Sequence, residues 1–252
     1  MRPVRHIAFV LLLVVTIASV LRADDAFKPN GLVILMTDYG TDSIYMGIIK
    51  GAIYSKFVDA HVDDMTNAVP PFDITAGAYL LAEAAGEYPK GTVFVTIVDP
   101  GVGTPRKPIV METKNGYCFV APDNGLLTLV AERFGIKQIR ELTNKDYWRA
   151  GTTSTVFHGR DIFGPVGASL ASGKTVDGAG TALDDIVTIE LVRSKIENGA
   201  AKGTVMRTDP YGNIVSTITS GDLAALDIKL GDNLDITIGK SSWTAPYKRT
   251  YA

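Results

Sequence analysis

Thr92–Val98, TVFVTIV, is an unbroken apolar run that stops at Asp99-Pro100-Gly101-Val102-Gly103. An apolar run without alternation fits a strand covered on both faces of a sheet. Residues 31–37, GLVILMT, form a second such run and break at Asp38-Tyr39-Gly40-Thr41-Asp42. Between the two lie helical patterns. Ile44, Ile48, Ile49, Ala52, Ile53 and Phe57 share one stripe, with Thr41 or Asp42 as its cap. A second helix is expected to start at Asp73, after Pro70-Pro71. Further on, Ile109–Glu112 and Tyr117–Val120 read as a strand pair around the turn dipeptide Asn115-Gly116. Leu126–Phe134 and Asp161–Ala171 read as helices. Strands alternating with helices predict an α/β domain over residues 31–173 with a central, mostly parallel sheet. Residues 174–186, rich in Gly, Asp, Thr and Ala, read as a linker. Residues 187–252 carry strand-like pieces at Thr204–Arg207, Ile214–Ile218 and Leu234–Ile238, and read as a small β-rich domain.

The 252 residues carry 25 Lys and Arg against 27 Asp and Glu, a net charge of −2. That balance offers no basic footprint for nucleic acid. A single cysteine, Cys118, excludes an internal disulfide framework and any CxxC site, and three histidines leave little for a histidine-rich metal centre. At the N-terminus, Arg2 and Arg5 precede fifteen apolar or small residues from Ile7 to Leu21, then Arg22-Ala23-Asp24-Asp25. This reads as a secretory signal peptide over residues 1–23. An uncleaved anchor is the alternative, although the run falls short of the roughly 20 residues a membrane span needs. Cleavage removes three arginines and takes the net charge from −2 to −5. The expected destination is outside the cytoplasm, in a bacterial periplasm, with a membrane met only during export.

No GxxxxGK[ST], HExxH, GxSxG or dinucleotide GxGxxG motif occurs. What remains is a set of polar residues at strand ends. Asp38 and Asp99 each follow an apolar strand, where ligands of α/β sheets gather; either can instead simply start a turn. Arg106, across a Gly/Pro turn, can fold back onto Asp99 or stay solvated. His158, beside Gly159 at a helix start, can face a cleft or be a satisfied structural histidine. Phe72 is a stacking platform or core. Asp209-Pro210-Tyr211-Gly212-Asn213 is locally an ordinary turn.

Taken together, TDYG at 37–40, FVTIVDPGVGTPR at 94–106, APDNG at 121–125, FHGRD at 157–161 and DPYGN at 209–213 resemble the S-adenosyl-L-methionine (SAM) hydroxide adenosyltransferase family. Its members are SAM hydrolases, related to SAM-dependent fluorinases and chlorinases. The resemblance runs from about residue 31 to the last residue. It implies an α/β domain followed by a β-rich domain. It also implies a homotrimer with SAM bound between the N-terminal domain of one subunit and the C-terminal domain of the next. SAM would be the substrate, with no cofactor and no metal. By motif position Asp99, Arg106 and His158 fall on the set that handles the attacking water. Asp38 falls where the ribose hydroxyls are held, and Phe72 and Phe157 beside the nucleoside. Asp209 and Asn213 fall at contacts to the methionine amine and the adenine. The related halogenases present an uncharged hydroxyl residue where this chain has Asp99, and a small hydroxyl residue near Val102.

Family members continue past the point where this chain stops, Ala252, so relative to the family the C-terminal domain reads as incomplete, either because the sequence is a fragment or because the small domain is shortened. The expected activity is hydrolysis of SAM to adenosine and L-methionine. The alternatives are a SAM-dependent halogenase, and an exported adenosyl-binding protein without turnover. A further reading, outside the family, is a metal phosphoesterase built on Asp38, Asp99, His158 and Asp161.

Overall fold

A computed structural model describes residues 26–250; the signal-peptide reading of residues 1–23 lies outside them. Contacts divide the chain into two compact units that meet between Ile189 and Glu190.

The first unit is built on a seven-stranded sheet, in the order β2-β1-β3-β5-β4-β6-β7. The strands are β1 (Leu32–Thr37), β2 (His61–Thr66), β3 (Val93–Ile97), β4 (Pro108–Thr113), β5 (Cys118–Pro122), β6 (Ile136–Glu141) and β7 (Thr181–Leu183). β2, β1, β3 and β5 are parallel neighbours. β4 runs antiparallel between β5 and β6, and β7 antiparallel beside β6. Five strands thus share one direction, so the sheet is mostly parallel, with its antiparallel pairings at one side.

The two apolar runs form β1 and β3 at the middle of the sheet, because both faces are covered. Period-2 alternation sends Val33, Leu35, Val93 and Val95 to one face, against Ile49 and Ile53 of α1 (Ile44–Lys56) and Val166 of α4 (Gly164–Ala171). Ile34, Met36 and Phe94 point to the other, against Leu81 of α2 (Ile74–Ala84) and Val130 of α3 (Thr128–Phe134). Each fully buried aliphatic side chain contributes about 1.5–3 kcal/mol, so these two layers dominate the unit's stability. Gly167 seats α4 on β3: a Cβ there would stand 2.4 Å from Val95 Cγ2.

Several local expectations are corrected. α1 is capped by Ser43, whose hydroxyl accepts from Tyr45 N–H at 3.2 Å, and not by Thr41 or Asp42. Its buried face is Met46, Ile49 and Ile53, while Ile44 and Ile48 are exposed; the helix carries more apolar residues than one sheet face can cover. Asp73 does open α2, as its N-cap, accepting from Ala76 N–H at 2.8 Å. The Asn115-Gly116 turn joins β4 and β5, with Gly116 at φ 90°. Residues 174–186 are no open linker. They hold a short turn at Asp177–Ala179 and the edge strand β7. Pairing of an edge strand runs through the backbone, so its sequence needs no apolar signature. Gly180 permits the approach, since a Cβ there would meet Glu141 O at 2.0 Å. Residues 187–189 also belong to the first unit: Val187 N–H donates to Asp123 Oδ1 at 2.8 Å and Ile189 N–H to Thr128 Oγ1 at 3.1 Å.

The second unit is three antiparallel hairpins and one short helix. The hairpins are β8 (Lys195–Glu197) with β9 (Ala200–Lys202), β10 (Val205–Thr208) with β11 (Ile214–Ser216), and β12 (Asn233–Ile238) with β13 (Ser241–Pro246). α5 (Ser220–Ala225) starts at a capping box between Thr219 and Asp222. Among its described residues none is fully buried.

Candidate active site

The sheet's strand order fixes where a ligand can sit. From β1 the chain crosses to β2 on one side and then returns past β1 to β3 on the other. The carboxyl ends of β1 and β3 therefore flank a topological switch point, where open α/β sheets bind ligands. Asp38 follows β1 directly, and Asp99 stands two residues beyond β3. Both line a cleft of about 320 Å³, together with Tyr39, Tyr45, Phe72, Val102, Val156 and His158. That volume suits a small molecule.

Asp99 and Arg106 form a buried pair, with side chains 6% and 8% exposed. Arg106 Nε donates to Asp99 Oδ1 at 2.9 Å and to Oδ2 at 3.0 Å, and Nη2 also donates to Oδ2. The intervening turn folds Arg106 back. Thr104 Oγ1 donates to Gly101 O at 2.6 Å, and Gly103 takes φ 81°. The APDNG stretch fixes the strand end itself, since Asn124 Nδ2 donates to Val98 O at 2.9 Å. The guanidinium lies over the Phe163 ring, 5.2 Å from its centroid.

Arg106 Nη2 also reaches His158 Nδ1 at 2.8 Å. Arginine has no acceptor, so Nδ1 must offer its lone pair, and we infer that the neutral ring carries its proton on Nε2. Burial and the Arg106 charge lower the His158 pKa, against Asp99 and Asp161, so the ring is neutral near pH 7. His158 sits at the head of a π-helical turn, Gly159–Phe163, of the kind that recurs at functional sites. A Cβ on Gly159 would lie 3.0 Å from both Tyr39 Oη and Ile49 Cδ1.

Asp38 Oδ2 accepts the Phe72 N–H at 2.9 Å, which leaves lone pairs for a ligand. Phe72 takes a left-handed φ of 65° and is 71% exposed, so it is a wall of the cleft and not core. Tyr39 and Tyr45 were not legible as site residues. Tyr39 is kept protonated by burial and by Asp38 and Asp99, which makes it a donor among carboxylates. Phe157 is not among the lining residues of the cleft. It stands edge-to-face to Tyr39 at 6.4 Å and Tyr45 at 5.4 Å, centroid to centroid. Asp209 and Asn213 lie together in the second unit. Asn213 Nδ2 donates to Asp209 Oδ2 at 2.7 Å, and the N–H groups of Tyr211 and Asn213 donate to Oδ1. The Asn213 amide foremost holds the Asp209 carboxyl below its ordinary range. Among the described residues no group of three or more His, Cys, Asp or Glu is arranged to hold a metal. Asp161, the fourth member of the phosphoesterase reading, is instead committed to Arg160, Arg149 and Ser154.

The arrangement sets two carboxylates and aromatic walls beside a partly dry Asp–Arg–His chain. It suits a cationic ligand and the orientation of one water.

Residues 33–180 match the family model of the SAM hydroxide adenosyltransferase N-terminal domain. A protein named (R)-S-adenosyl-L-methionine hydrolase from Methanocaldococcus jannaschii is 38% identical over 198 residues, spanning 76% of this chain and 68% of that protein. More distant is a fluorinase from an Actinoplanes species, 26% identical over 88% of this chain and 84% of its own length. Among solved structures, an uncharacterized conserved protein from Thermotoga maritima superposes with a TM-score of 0.83 at 36% identity, covering 87% of this chain and 83% of that one.

Proposed function

The chain belongs to the SAM hydroxide adenosyltransferase family, and from that membership we propose that it hydrolyses SAM to adenosine and L-methionine. The observation that carries the reading is the hydrogen-bonded Asp99–Arg106–His158 chain beside the cleft at the end of β3.

The electrophile is the ribose C5′, bonded to a sulfonium. Water oxygen forms the new bond to C5′, and the C5′–S pair leaves with sulfur as the neutral thioether of methionine. The leaving group needs no general acid, so the protein's work is to orient water and take its proton. Asp99 accepts that proton. Arg106 holds the carboxylate in place and supplies the counter-charge. The Nε2–H of neutral His158 donates a hydrogen bond to the water, and Asp38 accepts from the vicinal ribose hydroxyls. The displacement calls on no redox or group-transfer cofactor.

Incubation with SAM should yield adenosine and methionine in equal amounts by chromatography, unchanged by a chelator. SAM binding without adenosine would favour the non-catalytic binding protein. Adenosine formation lost on chelation would favour the metal reading.

Two further proposals rest on the family and on the N-terminal sequence. The first is a homotrimer in which Asp209 and Asn213 of one subunit, with Phe72 and Phe157 of the next, complete the SAM site; an active monomer by light scattering would contradict it. The second is export to the periplasm, with a mature N-terminus at Asp24. A retained Met1 in a cytoplasmic pool, read by intact mass, would contradict that.

A further inference from the structure

We propose that Asp161 is a positioning residue for the water-handling set, holding the 149–157 loop and His158 in register with Asp99. The proposal goes beyond the hydrolase reading in assigning a role to a carboxylate outside the cleft, and rests on that reading for its kinetic consequence.

Asp161 is 1% exposed and does not line the cleft, so it does not touch the substrate. A buried carboxylate must be paired, and here each partner is a part of one loop or its anchor. Arg160 Nε donates to Oδ1 at 2.6 Å and Arg160 Nη2 to Oδ2 at 2.7 Å. Ser154 N–H donates to Oδ2 at 2.8 Å, and Arg149 Nη1 reaches Oδ1 at 3.4 Å. The Asp161 backbone continues the pattern: its C=O accepts Arg149 N–H at 2.9 Å, and its N–H donates to Phe157 O at 3.2 Å. The start, middle and end of the 149–157 loop are thus tied to one residue. Burial alone would push the Asp161 carboxyl up, but the hydrogen bonds from Arg160 and Ser154 hold it below the ordinary range, so it stays an anion.

That loop meets the site at three points. Val156 lines the cleft. Thr155 O abuts the turn after Asp99, where a Cβ on Gly103 would stand 3.1 Å away. Arg160, held by Asp161, lies 5.3 Å from the centroid of Phe157, whose ring meets Tyr39 and Tyr45. His158 follows directly, bonded to Arg106. A polar network that fixes orientation in this way acts on geometry, and a displacement of about 1 Å can lower a rate 10²-fold.

Asp161 also faces His158 electrostatically. With Asp99 it favours the charged imidazole, while burial and Arg106 oppose it. Removing the Asp161 charge should therefore lower the His158 pKa further.

The test is Asp161→Asn, which keeps size and an acceptor for Ser154 N–H. We expect kcat on SAM to fall about 10- to 100-fold with KM changed little. Imidazole titration by NMR, tractable with three histidines in the chain, should move His158 to lower pH. Arg160→Leu carries the same test if Asp161→Asn fails to fold, since Arg160 is 28% exposed and its loss leaves the carboxylate to Ser154 and Arg149. There kcat should fall with KM unchanged. Unmoved His158 titration with wild-type kcat in a folded Asp161→Asn, or wild-type kcat in Arg160→Leu, overturns the proposal. The titration reads His158 whether or not SAM is turned over, so an inactive wild-type protein would sink the hydrolase reading separately.

Discussion

Asp99→Asn is expected to lower the rate of SAM hydrolysis by about 10²–10⁴-fold, the usual range for removing an acid–base group, while SAM binding survives. The substitution preserves shape, so the cleft keeps its volume and Asp38 the lone pairs proposed to hold the ribose. What disappears is the proton acceptor. Asn also breaks the fit to Arg106. The carboxylate accepts from Nε at both oxygens and from Nη2, whereas an amide must turn one donor toward the guanidinium. With the pair only 6% and 8% exposed, Arg106 is left a buried cation without its counter-charge, and unfolding should come at a lower temperature. Arg106 is then free to draw on His158 Nδ1 alone, which leaves the histidine in place but without a base to work beside. Single-turnover kinetics and calorimetric titration of SAM measure the two quantities separately. Turnover at the wild-type rate would remove Asp99 from the mechanism; loss of SAM binding in proportion to the rate would make its role recognition.

Much of this was legible in sequence because the decisive features are local. TVFVTIV and GLVILMT place two central strands, and the residue that ends each run, Asp38 or Asp99, lands at the switch point by connectivity alone. Asn115-Gly116 is a turn wherever it occurs between strands, and Asp73 is a cap before an apolar helix. The parts that were not legible depend on distant neighbours. β2, HVDDMT, carries two aspartates and pairs with β1 at the sheet's edge, so no apolar run marks it. β7 joins the sheet through backbone groups and a glycine that permits close approach to β6. Tyr45 sits inside a helical stripe, and nothing in that stripe says its ring reaches the cleft. The motif alone puts Phe157 beside the nucleoside; that its ring stands edge-to-face to Tyr39 and Tyr45 is a contact between distant segments that no local pattern marks.

The second large effect concerns the nucleophile, since a fluorinase is among the relatives. A halide at the attacking position would face the Asp99 carboxylate on the cleft wall. Two unit charges about 4 Å apart repel by roughly 4 kcal/mol at an effective dielectric of 20, which is about three powers of ten in affinity. The Arg106 charge offsets part of this, but its Nε and Nη2 are turned to Asp99 and His158, so the carboxylate and not the cation is what the cleft wall presents to an anion. A halide also sheds its hydration on entering a dry pocket and needs donors in return. Val102 lines the cleft and its side chain offers none; the Nε2–H of His158 and the hydroxyls of Tyr39 and Tyr45 are the side-chain donors on the lining. Water meets no such repulsion, and the carboxylate that disfavours the anion is the group proposed to accept the water's proton. The expected product is therefore adenosine, not 5′-halo-5′-deoxyadenosine, even in molar chloride. Mass spectrometry of products formed in ¹⁸O-labelled water, with high chloride or high fluoride, should find the label in the adenosine 5′-hydroxyl. A dominant halogenated nucleoside would overturn the assignment. The same reasoning makes the Asp99→Asn protein the place to look for gained halide reactivity: neutralising that one wall removes the repulsion, and any chlorinated product should appear there before it appears in the wild type.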